Sequence, residues 1–287
     1  MKQSNMGWIH GFLGMVIFAG SMPATRLAVA GFSPEFLTGA RAVIAAGFAI
    51  VCLILFQQPF PNSKQIKSLT VIAFGVVFGF PFFTALALEN MTAARALVSV
   101  ALLPLATAIF AVLRAGERPS SKFWLSAIIG SSFVAIFMWF QDQQSFHLSS
   151  DLYMLIAVLV CGLGYAEGGQ LSKQLGGWQV ICWALIIALP LMLLLFGIYY
   201  PENWASIPIT AYAGLFYVSL FSMLIGFVFW YKGLALGGVA RVGQIQLLQP
   251  FLGLILCTLV LHESIDFAMI FVCFAVIMCV FYAKKYA

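Results

Sequence analysis

Glu167 lies in the run GLGYAEGGQ, a carboxylate set among glycines inside a long apolar stretch. Such an acid can bind a cationic amine or carry a proton. The flanking glycines remove side-chain bulk and admit a helix or a ligand, and Tyr165 adds a ring and a hydroxyl next to it. Two plainer readings also fit: a glutamate at a helix end that reaches water, or one paired with an arginine. Arg26 and Arg41 have the opposite chemistry. A guanidinium within an apolar stretch attracts a carboxylate or phosphate through its two-pronged donor geometry, although Arg41 could equally pair with Glu35 and lock two helices together. Gln244, Gln246 and Gln249 precede Pro250. Amides both donate and accept, as a zwitterion requires, and Gln246 and Gln249 are spaced to share one helix face; hydrogen bonding between helices is the alternative. Ser99 is a further hydroxyl. Trp230 and its aromatic neighbours either line a cavity or pack a core. The cavity residues expected from the sequence are thus Glu167, Gln246, Gln249, Arg41, Arg26, Tyr165, Ser99 and Trp230.

Other chemistries lack their residues. His10, His147 and His262 form no ligand cluster, and the six cysteines show neither zinc nor disulfide spacing. No HExxH, phosphate-cradling glycine loop or serine–histidine arrangement occurs. No metal, cofactor or enzymatic activity is expected.

The elements that must position these side chains are apolar. Only 8% of the 287 residues are charged and 63% are hydrophobic, whereas soluble domains carry about 25% charged residues. Ten stretches have the roughly 20 residues that a bilayer crossing needs: 7–30, 34–56, 66–88, 92–113, 121–140, 152–172, 178–199, 207–231, 236–261 and 265–283. Unbroken apolar runs exclude a β-barrel, which alternates in segments of about ten residues. The first run lacks a clear cleavage site and reads as a span, not a removed leader. The expected fold is therefore all-α, a polytopic membrane protein with ten transmembrane helices. The net charge of +5 sits in short connections, which fits a membrane surface and not nucleic acid. Lys2, Lys64, Lys67, Arg114, Arg118, Lys122, Lys173, Lys232, Lys284 and Lys285 fall on one side of the spans, and Glu35, Asp142, Asp151, Glu202, Glu263 and Asp266 on the other. By the positive-inside rule both termini are cytoplasmic.

The chain also matches itself at a shift of 146 residues: Arg95 falls on Arg241, Pro104 on Pro250 and Glu117 on Glu263. Two units follow, 1–141 and 151–287, with five spans each. An odd number of spans inverts the second unit, a design that encloses a midplane site in secondary transporters. Arg95 and Arg241 then lie near opposite faces and read as gates, with Pro104 and Pro250 breaking the helices beside them.

These segments resemble a known family. FAGSMPATRLAVAGFSPEFLTGARAVIAA (18–46) is similar to the first two helices of the repeat of the drug/metabolite transporter superfamily, in its ten-helix EamA-type branch. ALENMTAARALVSVALLPLATAIFAVLRAGERPSSKFWLSAIIGSSFVAI (87–136) resembles the third to fifth, and ALGGVARVGQIQLLQPFLGLILCTLVLHESID (235–266) repeats the fourth with its proline and following glutamate. The resemblance implies a secondary transporter of the inner membrane that exports small organic solutes, amino acids or related metabolites ahead of lipophilic cations, by alternating access. A membrane-embedded enzyme and a channel are the remaining classes. A proton is the coupling ion only if Glu167 titrates, and the carrier is a monomer or homodimer among membrane lipids.

Overall fold

The structure, a computed structural model, describes residues 2–141, 148–261 and 268–286. Asp142, Glu263 and Asp266, used above for orientation and the repeat, and His147 and His262, named above as forming no ligand cluster, lie outside the described residues. All regular structure among the described residues is helical.

The first apolar stretch folds as α1 (Lys2–Ala19) and α2 (Ser21–Val29), broken at Gly20. α3 (Pro34–Leu55) starts where Ser33 caps it, accepting from the Phe36 N–H at 3.2 Å, with Pro34 fixing the first turn. α4 (Ser63–Ile72) opens on a reciprocal cap: Asn62 accepts from Lys64 and Gln65 N–H, and Gln65 Oε1 accepts from Asn62 N–H at 2.9 Å. A π-helical segment, Ala73–Gly79, leads into α5 (Phe80–Asn90). Next come α6 (Ala93–Val100), α7 (Leu103–Ala115) and α8 (Ser121–Gln141). α7 ends at Gly116, whose φ of 66° is left-handed and suits glycine.

The second half runs α9 (Leu148–Leu175), α10 (Gly177–Ile198) and α11 (Ile209–Phe216). Another π-helical segment, Tyr217–Ile225, leads into α12 (Gly226–Gly237). Short α13 (Val239–Gly243), a 3-10 segment Gln244–Leu248, α14 (Gln249–Leu261) and α15 (Ala268–Tyr286) complete it.

Seven of these helical runs are long and apolar enough to cross a membrane, by length and composition, among the described residues. Of the ten expected spans, 92–113, 121–140 and 265–283 are not in that set; the first of these is interrupted between α6 and α7, which leaves an apolar helix of only 13 residues. Large apolar side chains such as Ile54, Leu55, Leu113 and Leu194 are exposed along many of the helices. In water such a surface would aggregate; in lipid it is the solvated face.

Irregularities recur at the sequence shift of 146 residues. α4 and α11 begin at matching positions, as do α5 and α12, α6 and α13, and α7 and α14, and the two π-helical segments overlap. Pro104 and Pro250 are the second residues of α7 and α14. They start helices after a break and do not kink helix interiors, because a proline at the first turn loses no hydrogen bond.

The halves interleave. α1 packs along α12, α3 along α10, α5 and its π segment along α9, and α8 along α15. The α1–α12 contact is made backbone to backbone. A Cβ on Gly7 would lie 2.6 Å from Gly237 N, and Gly233 meets the backbone of Gly11 in the same way. Small residues set such approaches because lipid offers no hydrophobic drive between helices. One buried core, from Met15 to Ala283, draws on both halves.

Candidate functional site

The breaks converge. A small cavity is lined by Phe18, Ser21, Arg41, Val76, Phe80, Pro81, Leu103, Tyr165, Ser222, Phe227 and Gln249. Ser21 follows the break in the first span. Val76 and Ser222 belong to the two π segments, and Leu103 and Gln249 open α7 and α14 after their interruptions. Irregular backbone within a membrane is tolerated only where protein or a cavity satisfies it, and π segments gather at functional sites. Three lining pairs, Val76 with Ser222, Pro81 with Phe227 and Leu103 with Gln249, are related by the shift of 146 residues. The cavity thus draws matching positions from both halves. Its volume of about 20 Å³ holds about one water.

Polarity is not shared evenly. The second half supplies Ser222 and Gln249 where the first has Val76 and Leu103, and Arg41 has Ile187 as its match. Arg41 is only 4% exposed. Its Nη2 donates to Ser222 Oγ at 3.2 Å, and that hydroxyl lies 2.8 Å from Ser21 Oγ. The Nε of Arg41 has no partner. Gln249 Nε2 donates to the Phe18 carbonyl at 3.4 Å, and its Oε1 is unpartnered. Glu35 is not the partner of Arg41, and among the described residues no carboxylate lines the cavity. A charge held at this depth costs about 3 kcal/mol or more.

Aromatic rings close one side. Phe18 lies 5.0 Å from Phe227 between ring centres, and Tyr165 lies 5.3 Å from Trp230. Trp230 is fully buried just behind the lining residues. Tyr231 donates to the Gly164 carbonyl at 3.2 Å.

The remaining expected site residues lie elsewhere. Glu167 accepts from Arg114 Nε at 2.9 Å, and the arginine side chain is 47% exposed. The pair ties α9 to the last turn of α7, away from the cavity lining. Arg26 donates to the carbonyls of Leu88 and Glu89 at the end of α5. Gln246 is buried in the 3-10 segment, and Ser99 is half-buried on α6; neither lines the cavity.

The two ends of the bundle carry different ties. At the start of α6, Arg95 grips Asp151 with both prongs, Nε to Oδ1 at 3.1 Å and Nη2 to Oδ2 at 2.9 Å. At the far end of the same broken span, Glu117 accepts from the N–H groups of Val239 (2.6 Å) and Ala240 (2.8 Å). The carboxylate satisfies orphan donors at the start of α13. Gly238, with φ of 90°, turns the chain there. Arg241 borders a hollow of about 290 Å³ with Glu117, Arg118 and Gly238. Sequence reasoning found Glu117 only as a repeat match. The signal for its role was an acid after one span aligned with an acid after the repeated span.

Comparison with known proteins agrees with this architecture. Residues 5–141 and again 148–283 match the EamA-like transporter family. A relative from Bacillus subtilis (strain 168), named "Uncharacterized transporter YdeK", is 55% identical over 287 residues, all of both chains. A protein of known crystal structure superimposes with a TM-score of 0.79 at 17% identity, over 98% of this chain and 99% of the other, and so shares the fold. The chain belongs to the EamA-like transporter family and is a multi-pass membrane transporter of the drug/metabolite superfamily, not a member of an enzyme family.

Proposed function

We propose that the chain is a secondary carrier working by alternating access, with ten spans in two inverted units, residues 1–141 and 151–287. A small organic solute binds between the units, where Arg41, Ser21, Ser222 and Gln249 meet. The observation that carries this reading is the small hollow built from matching broken segments of both halves, holding a buried cation whose Nε is unpartnered. Two units that can repack about such a site expose it to one face and then the other. The ties at the ends are the proposed gates: Arg95–Asp151 at one face, and Glu117 on the start of α13, beside Arg241, at the other. Breaks ahead of Pro104 and Pro250 supply the joints. The hollow holds about one water, which corresponds to a closed form that must widen to load. Both termini are cytoplasmic by the lysine and arginine bias, and export across the inner membrane follows the resemblance to the drug/metabolite transporter superfamily.

Reconstituted protein tests the carrier. Counterflow is measured with labelled amino acids, nucleosides, organic anions and quaternary amines. A carrier takes up label faster when the vesicles contain unlabelled solute; flux indifferent to internal solute means a channel. A reporter fused after Ala287 reads cytoplasmic; an external reading overturns the orientation.

A further inference from the structure

Resting on the carrier reading, we propose that the hollow around Arg41 selects a small organic monoanion: one carboxylate on an apolar body, in preference to an amine, a zwitterion or a polyanion. Among the described residues, Arg41 is the only charged side chain lining the hollow. Guanidinium has five donors; Nη2 is engaged by Ser222, while Nε has no partner. The ion pairs found among the described residues use Arg95 and Arg114, with Asp151 and Glu167 as their acids. The charge of Arg41 is therefore not neutralised from within the lining. A carboxylate both neutralises it and fills the free donor, which makes binding strong where water is excluded.

The rest of the wall narrows the class. Ser21, Ser222 and Gln249 are neutral, so they can orient a carboxylate or take one further hydrogen bond but cannot balance a second negative charge. A phosphate dianion would leave a buried excess charge. No acid lines the hollow to receive an ammonium group, so an amino acid would carry its positive end into a site that already holds a guanidinium. Phe18, Val76, Phe80, Leu103 and Phe227 complete the wall and favour an apolar body.

Binding is tested on the purified full chain in detergent, by thermal shift and by tryptophan fluorescence, since Trp230 packs against Tyr165 and Phe18. The probes are 3-phenylpropanoate, 4-methylpentanoate, the neutral amide of each, L-phenylalanine, phenyl phosphate and tetraphenylphosphonium. Saturable binding of a carboxylate, about tenfold or more tighter than its amide, is expected, because a charged hydrogen-bonded partner is worth at least that ratio. L-Phenylalanine, phenyl phosphate and the phosphonium bind more weakly. Arg41→Gln loses the preference for acid over amide, and Arg41→Lys keeps part of it. Amides binding as tightly as acids, tighter binding of the phosphonium or of L-phenylalanine, or no saturable binding of either carboxylate at millimolar concentration overturns the proposal. The acid–amide comparison on the unsubstituted protein decides the matter even where Arg41→Gln does not fold. Counterflow separates the two readings. Carboxylate binding without counterflow sinks the carrier and not the site; counterflow of another solute without carboxylate binding does the reverse.

Discussion

A buried arginine and a buried glutamate have opposite fates here, and the difference is their partners. Glu167 meets Arg114, whose side chain is half in solvent, so the pair is inexpensive and of modest worth. Glu167→Gln is expected to lower stability by less than about 1 kcal/mol and to leave the pH profile of transport unchanged; a displaced profile would make Glu167 a proton carrier. Glu117 holds two backbone N–H groups with one carboxylate. Glu117→Gln keeps the size but leaves one oxygen to accept: one bond is weakened and the other is lost, because an amide NH2 cannot accept from an N–H, at about 1–2 kcal/mol in all. The tie between α7 and α13 then opens more often. A cysteine placed at Ala240 in a background free of other cysteines should react faster with an inside-applied thiol reagent in Glu117→Gln. Equal rates would show that this contact is not a gate.

At the scale of elements, two kinds of glycine separate space from backbone conformation. Gly11 faces α13 and the 3-10 segment after it so closely that a Cβ would strike Val242 and Ile245. Gly11→Leu must push α1 off α13 and the 3-10 segment, and overpacking of this kind costs about 1–3 kcal/mol. Gly116 has open space around it but a φ of 66°. Gly116→Ala therefore carries only the backbone term, about 1 kcal/mol. Melting of the two purified variants should rank Gly11→Leu well below Gly116→Ala; the reverse order would deny the close contact of α1 with α13 and the 3-10 segment. The capped starts of α3 and α4 were legible in principle from Ser33-Pro34 and from Asn62 with Gln65. The π segments were not, because a one-residue widening of the helix leaves no mark in an apolar run that is hydrophobic on every side.

At the scale of the molecule, neither half owns its core. α1 lies on α12, α3 on α10 and α9 on α5, so a repeat expressed alone leaves its main packing face without a partner. Residues 1–141 produced alone should aggregate or be degraded, and co-expression with residues 148–287 should restore a complex that co-purifies and melts cooperatively. A stable, monodisperse first half would mean that the repeat is an independent domain. The interleaving also explains why the cavity sits among breaks: matching irregular segments from both halves meet there, and their freed backbone groups have protein instead of lipid around them.

Composition and apolar run length determined the helical membrane class, because a chain with so few charges has no other way to satisfy its backbone. Self-similarity at 146 residues pointed to two units, but the paired helix starts, such as those of α5 and α12, came into view only with the structure. Which polar side chains face the hollow was decided only by the tertiary structure. Glu167, Arg26 and Arg41 look alike in sequence, each a charge in an apolar run. Partners from distant segments, Arg114, the end of α5 and Ser222, separate two anchored groups from one cation left facing a cavity. Ser21 and Ser222 lie 201 residues apart, and no local pattern could have brought them together.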